Sequence, residues 1–257
     1  YDRAVHGKFQ LLRKIRYYIT NGYNNIVVSV APFHLATHLC SIIDEYPEVN
    51  FIVDFRDPWV DNKTSYGYSL LNKKRQNIEQ ASEKMVVEKF NHVVTVSKTI
   101  TDTLRKKYPN SNANFLTIPN GFDLDDYINF NIKDKKFKNS EIRLVFSGTF
   151  YNGSIKYLDL LSKWLFEIKL SNKNLYNSIY IDFYGIISKE NKIFENHNNV
   201  IFHGFKKREF VNNKIFESNA CLLFLTDDIN YSFSSKFCDY IAMKKPIIVF
   251  SNNGLTS

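Results

Sequence analysis

Short apolar runs that do not alternate with polar residues recur through this chain, at residues 26–30, 51–55, 93–96 and 115–118, then at 142–146, 179–184, 200–202, 221–225 and 247–250. A strand with one wet face alternates, whereas an unbroken run of β-formers is covered on both sides. Helical stretches separate the runs, at residues 33–46, 69–89, 97–107, 155–170, 210–218 and from Ser234 to Pro246. Strand and helix in alternation predict parallel sheets covered on both faces. Around residues 126–139 the chain turns polar and lysine-rich without periodicity, and the strand–helix pattern then restarts. The expectation is an α/β chain of two tandem doubly wound, Rossmann-like domains, at residues 1–125 and 140–257, with a linker at 126–139.

With 257 residues, 44% of them hydrophobic, the chain can bury a core, and 23% charged residues is not a disordered composition. The net charge of +8 suits anionic partners: nucleotide phosphates, nucleic acid or anionic lipid. The lysines are scattered rather than gathered into a stripe, which argues against nucleic acid. Residues 8–19 read as an amphipathic basic helix, whose polar face is either solvated or turned to a membrane surface. Cys40, Cys221 and Cys238 are odd in number and set among apolar residues, as reduced core thiols of a cytoplasmic protein would be. No apolar run approaches the length of a membrane span, and no signal peptide is visible. The chain opens without Met or a leading strand and stops just after one, so it reads as a fragment, with the first domain truncated and the second short of its end.

Ligands of open parallel sheets bind beyond the carboxyl ends of the strands. That rule selects residues 31–34, Arg56-Asp57-Pro58-Trp59 and Ser97 in the first domain. In the second it selects Gly148-Thr149, Tyr184-Gly185, Gly204-Phe205 and residues 226–236. The stretch from Ser234 to Pro246 holds a possible N-cap (Ser234 or Ser235), Lys236 and Asp239 three apart, and Phe237, Tyr240 and Ile241 at apolar spacing. Two readings stay open: a phosphate and sugar-hydroxyl site at a helix N-terminus, or a capped helix with a surface ion pair. The glycines are equally open to plain turn chemistry. No G-x-G-x-x-G, P-loop, H-E-x-x-H or G-x-S-x-G motif is present, which disfavours dinucleotide, P-loop, zincin and hydrolase readings.

Four segments together resemble the retaining nucleotide-sugar glycosyltransferases of the GT-B fold, in particular the large, family-4-like bacterial group that builds surface polysaccharides. They are Asp54-Phe55-Arg56-Asp57-Pro58-Trp59; Val94-Thr95-Val96-Ser97 with Ile118-Pro119-Asn120-Gly121-Phe122-Asp123; Leu144 to Tyr151; and Ser234 to Pro246. The resemblance implies transfer of a sugar from a nucleotide-diphosphate sugar to a saccharide or lipid-linked acceptor, without metal or cofactor. By resemblance, Gly148 and Thr149 lie against the diphosphate, and Gly204 and Phe205 near the base. Ser234, Ser235 and Lys236 meet phosphate or sugar oxygens, with Lys156 as a second cation, and Asp239 takes the ribose hydroxyls. Arg56 and Asp57 face the reacting centre, with His34 and Trp59 on the acceptor side. Asp239 stands where the family more often has Glu, Tyr231 stands where its first glutamate would be, and the amino-terminal glycine loop is missing. A nucleotide-sugar epimerase and a non-catalytic nucleotide-sugar-binding module are the alternatives. A cytoplasmic location is expected, with peripheral contact at the inner face of the membrane as an option.

Overall fold

The computed structural model describes residues 7–62, 68–127, 141–150, 152–186, 189–225 and 234–252. Residues 226–233, which include Tyr231, lie outside them, as does most of the 126–139 stretch. The chain divides into two compact units, Tyr1–Pro119 and Asn120–Ser257.

The first unit runs α1 (Lys8–Thr20), β1 (Asn25–Val30), α2 (His34–Leu39), β2 (Asn50–Phe55), α3 (Lys73–Lys89), β3 (His92–Thr95), α4 (Lys98–Lys107) and β4 (Asn114–Thr117). The four strands are parallel and lie in sequence order, β1-β2-β3-β4. Right-handed crossovers that advance in one direction place their helices on one face. That face holds Phe51, Val53, Phe55 and Val93, all essentially inaccessible. One residue along, the other face leaves Val27 64% and Leu116 42% exposed. Coverage of both faces, expected of each sheet, is therefore incomplete here. Two helices are also shorter than the periodicity predicts. The 33–46 stretch breaks after Leu39 and resumes as a 3-10 turn at Ile43–Glu45. Thr37 and Ser41 hydroxyls there donate to the His34 and His38 carbonyls, a local competitor of helical bonding. The 69–89 stretch becomes helical only at Lys73, because the Asn72 side chain accepts from the Arg75 amide (2.9 Å) and fixes the start.

The second unit runs β5 (Ile142–Ser147), α5 (Ile155–Ser171), α6 (Lys173–Ser178), β6 (Ile179–Tyr184), β7 (Val200–Gly204), α7 (Arg208–Glu217), β8 (Ala220–Phe224), α8 (Ser235–Ala242) and β9 (Ile247–Phe250). Its parallel sheet has the order β7-β6-β5-β8-β9. The chain winds outward from β5 to β7, then crosses back to add β8 and β9 on the other side. One face buries Leu144, Phe146 and Ile181 under Leu158, Leu161 and Leu165 of α5. The opposite face buries Val145 and Cys221 under Val211, Ile215 and Tyr240 of α7 and α8. This sheet is doubly wound, and its topological switch point lies between β5 and β8. The pattern of residues did not anticipate α6, a short helix capped by Asn172. All three cysteines are buried and unbridged.

Candidate functional site

The carboxyl ends of β5, β6 and β7 carry a row of glycines. Gly148 follows β5, Gly185 follows β6 and Gly204 ends β7, with φ of 143°, 142° and 71°. These are left-handed values that a side chain disfavours. The row is stitched across the sheet: the Gly148 amide donates to the Tyr184 carbonyl (2.7 Å) and the Gly185 amide to the Gly204 carbonyl (3.0 Å). A Cβ on Gly185 would come within 1.9 Å of the Gly148 oxygen. The strand ends are thus packed backbone on backbone, too closely for a side chain at Gly185. A cleft of about 170 Å³ opens on them, with Gly148, Thr149, Gly185, Ile186, Phe205 and Lys206 among its walls. Phe205 stands at its edge, 81% exposed.

Across the switch point, α8 begins. Ser234 is its N-cap, and its hydroxyl accepts from the Phe237 amide (3.2 Å). That leaves the Ser235 and Lys236 amides at the helix mouth, where the macrodipole favours an anion. Lys236 folds back over the glycine row, for a Cβ on Gly148 would stand 1.8 Å from its Cε. Its ammonium sits 5.7 Å from the centre of the Phe146 ring. Burial pushes its pKa down, opposed by the Asp239 charge. Tyr240, fully buried, accepts the Ser147 amide (3.1 Å) and so ties α8 to the end of β5. Ile241, expected on the same apolar face as Phe237 and Tyr240, is instead 44% exposed, and Cys238 is buried. The helix lies on the sheet through Tyr240, with Met243 just past its end.

Asp239 is the meeting point of three elements. Its Oδ1 accepts from the Tyr127 hydroxyl and lies 3.7 Å from the Arg208 guanidinium. Arg208 donates to the Tyr127 oxygen (3.4 Å) and pairs with Asp126 (2.8 Å). Tyr127 is 6% exposed and belongs to the core under α7 and α8. Its pKa is pushed up to about 12, first by burial and then by its bond to Asp239.

The structure therefore brings together Gly148, Lys236, Ser234, Ser235 and Asp239 at the switch point, with Thr149, Gly204 and Phe205 along the glycine row. Lys156 is the second residue of α5, where its ammonium sits 4.9 Å from the Tyr157 ring centre, and it is not among the cleft walls. In the first unit, Arg56 and Asp57 follow β2, and Arg56 donates to Asp54 (3.3 Å). His34 and Trp59 converge on the buried carboxylate of Glu79. The Trp59 indole donates to it (2.7 Å), His34 Nε2 lies 3.1 Å from it and Arg75 pairs with it (2.6 Å). Trp59 is 5% exposed and stacks on Phe33. Tyr127, Arg208, Tyr240 and Gly185 went unassigned a role in the sequence. Gly185 carried a signal as a glycine at a strand end, and Tyr240 as part of an apolar helix spacing. Among the described residues, no group of three or more His, Cys, Asp or Glu could hold a metal ion.

The sequence matches no protein-family profile and no curated protein. Solved structures match it in fold. Sucrose-phosphate synthase from Thermosynechococcus elongatus has TM-score 0.64 at 14% identity, over 95% of this chain and 60% of that one. A UDP-forming trehalose-phosphate synthase from Burkholderia xenovorans, in complex with glucose-6-phosphate, has TM-score 0.65 at 10% identity, over 98% and 64%. WaaG, a glycosyltransferase involved in lipopolysaccharide biosynthesis, has TM-score 0.56 at 13% identity, over 87% and 66%. The chain spans 60–66% of the length of these three proteins. At such identities the likeness is one of fold: two Rossmann-like units of the GT-B type.

Proposed function

We propose that a chain of this GT-B fold binds a nucleotide-diphosphate sugar on its second unit and transfers the sugar to a saccharide or lipid-linked acceptor. The observation that carries the proposal is the meeting of Lys236, the capped mouth of α8 and the Gly148 backbone beneath that lysine at the switch point of the doubly wound sheet. A diphosphate needs cations and N–H donors, and negative charge grows on it as the sugar leaves. Lys236 and the Ser235 and Lys236 amides supply both, so the leaving group has stabilisation without a metal. Asp239 would accept from ribose hydroxyls and Phe205 would cover the base. Arg56 and Asp57 would serve the reacting sugar and its acceptor. Retention of configuration and a role in surface polysaccharide synthesis rest on the sequence resemblance. Acceptor capture at the inner face of the membrane would use α1, which carries Lys8, Arg13, Lys14 and Arg16 beside an exposed Phe9. No helix among the described residues is long and apolar enough to cross a membrane.

One observation favours a second reading, a nucleotide-sugar-binding module without turnover. The acceptor-side candidates His34 and Trp59 are both engaged with the buried Glu79 rather than presented to a substrate. Two measurements decide. A thermal-shift panel of UDP, GDP, ADP and CMP with their sugars, with and without Mg²⁺, should select one donor class without a need for the ion. Incubation of that donor with sugar acceptors should release the nucleoside diphosphate, and Arg56→Ala and Asp57→Ala should slow the release. Binding without release supports the module, isomerised donor without an acceptor supports an epimerase, and no binding of any member overturns the proposal.

A further inference from the structure

The donor-side carboxylate of this chain is an aspartate, and three neighbours decide where it can sit. Asp239 lies in the middle of α8, with its side chain 30% exposed. An aspartate reaches one methylene less far than a glutamate, so its carboxylate stays close to the helix wall and its direction matters more. The 3-10 turn at Leu124–Tyr127 brings Tyr127 against that wall, where its hydroxyl donates to Oδ1. Arg208, from the start of α7, donates to the same hydroxyl oxygen and is itself anchored by Asp126. The phenol is thereby polarised on one side and committed on the other. Among the described residues, Tyr127 and Arg208 are the hydrogen-bond and ion-pair partners of Asp239 and both meet Oδ1, which leaves the second oxygen for a ligand.

We propose that Tyr127, held by Arg208, is a positioning residue: it aims the Asp239 carboxylate at the cis-diol of the donor ribose and so sets the preference for a ribonucleotide. This rests on the reading of the second unit as a nucleotide-sugar site. Tyr127 does not touch the ligand. It donates its proton to one oxygen, fixes the plane of the carboxylate and shields that oxygen from water, so that the other meets two vicinal hydroxyls in one geometry. The Tyr127 phenol keeps its proton across the working pH range, since its pKa is raised, so the donor role is constant there.

The test measures affinity for UDP, GDP and ADP, each paired with its 2′,3′-dideoxy analogue, by calorimetry on the whole chain. The wild type should prefer the ribonucleotide of its own base by about 10- to 100-fold, the worth of hydrogen bonds to a charged acceptor. Tyr127→Phe should bring that ratio down to about threefold or less while the dideoxy affinity holds within about twofold, because only the diol contact is lost. A general structural defect would weaken both members of the pair alike and would overturn the assignment. So would a Tyr127→Phe protein that keeps the full ratio. If the wild type itself shows no preference in any pair, the ribose role of Asp239 falls, and the role of Tyr127 falls with it. Arg208→Gln alters an exposed side chain that the fold tolerates, and it serves if Tyr127→Phe does not fold. It should lower the ratio by about two- to fivefold, and an unchanged ratio overturns the proposal.

Discussion

Lys236 is an ammonium held largely out of water, over an aromatic ring and a glycine, with the Asp239 charge favouring its proton. Such a placement costs folding energy, which suits a group kept for an anionic ligand rather than for stability. The sign of its pH dependence follows. Its folded pKa lies below the ordinary 10.5, because burial disfavours the charged form. Between the two values the unfolded chain binds more protons than the folded one, so stability rises with pH across that window. Lys236→Met keeps the length of the side chain and removes the charge. We expect it to raise Tm by about 2–4 °C at neutral pH, the shift that about 1 kcal/mol gives in a chain of this size. The same change should flatten the alkaline rise in stability and weaken nucleotide-diphosphate binding at least about tenfold. Calorimetric scans across pH check the first two effects, and a lowered Tm would mean that the ammonium stabilises the fold. Of this residue's setting, the sequence revealed the helix start and the lysine. It did not reveal that the side chain turns back over Gly148, since the two are far apart in the chain and no local pattern encodes their contact. Tyr127 was hidden for a similar reason: it sits in a polar stretch whose composition reads as linker, and its burial depends on residues far along the chain, in β5, β6, α7 and α8.

At the scale of elements, the strand ends were legible because unbroken apolar runs are local signals, and the structure places them within a residue or two of expectation. The helix ends were less so. The last turn of α8 closes with the Lys245 amide donating to the Tyr240 carbonyl and the Lys244 amide to the Ile241 carbonyl. That is the usual glycine-marked helix stop, with Lys244 at φ 51° in place of the glycine. The glycine row shows how one element end depends on the next. Gly148, Gly185 and Gly204 each looked like an isolated turn in the sequence, and only the parallel register of β5, β6 and β7 makes them a surface. Gly185→Ala is the sharpest test. Its Cβ would meet the rigid Gly148 backbone at 1.9 Å, at a φ that only glycine tolerates well. We expect a loss of about 1–3 kcal/mol from the backbone strain alone. Gly148→Ala carries the same backbone strain, but its overlap is with a flexible lysine end and is relieved by displacing Lys236, so its stability should fall less than that of Gly185→Ala and its nucleotide binding more. Denaturant unfolding of both variants, alongside nucleotide affinity, separates the cases. Equal stability losses with equal affinity losses would speak against two distinct roles for neighbouring glycines.

At the scale of the whole molecule, the two units differ in how completely they are covered, and that difference predicts how the chain unfolds. The second sheet has an apolar core on each face. The first has helices on one face and leaves Val27 and Leu116 open on the other. Parallel strands whose described residues are open on one face forgo part of the burial that stabilises them, at roughly 25 cal/mol per Å² of apolar surface. Every residue assigned to the donor lies in the second unit, while Arg56 and Asp57, assigned to the reacting centre, lie in the first. Two consequences follow together. Thermal unfolding should proceed in two steps, with residues 1–119 melting first and binding a hydrophobic dye as they do. A nucleoside diphosphate bound as proposed on the second unit should raise the upper step and leave the lower one in place, since a ligand stabilises only the part of the chain whose folded form it recognises. At a ligand concentration 100 times Kd the gain is about 2.7 kcal/mol, large enough to move that step by several degrees. Differential scanning calorimetry with and without the nucleotide reads both steps in one experiment. A single transition that shifts as a whole would show that the units fold as one body. A shift of the lower step alone would place the donor on the first unit and remove the foundation of the proposed chemistry.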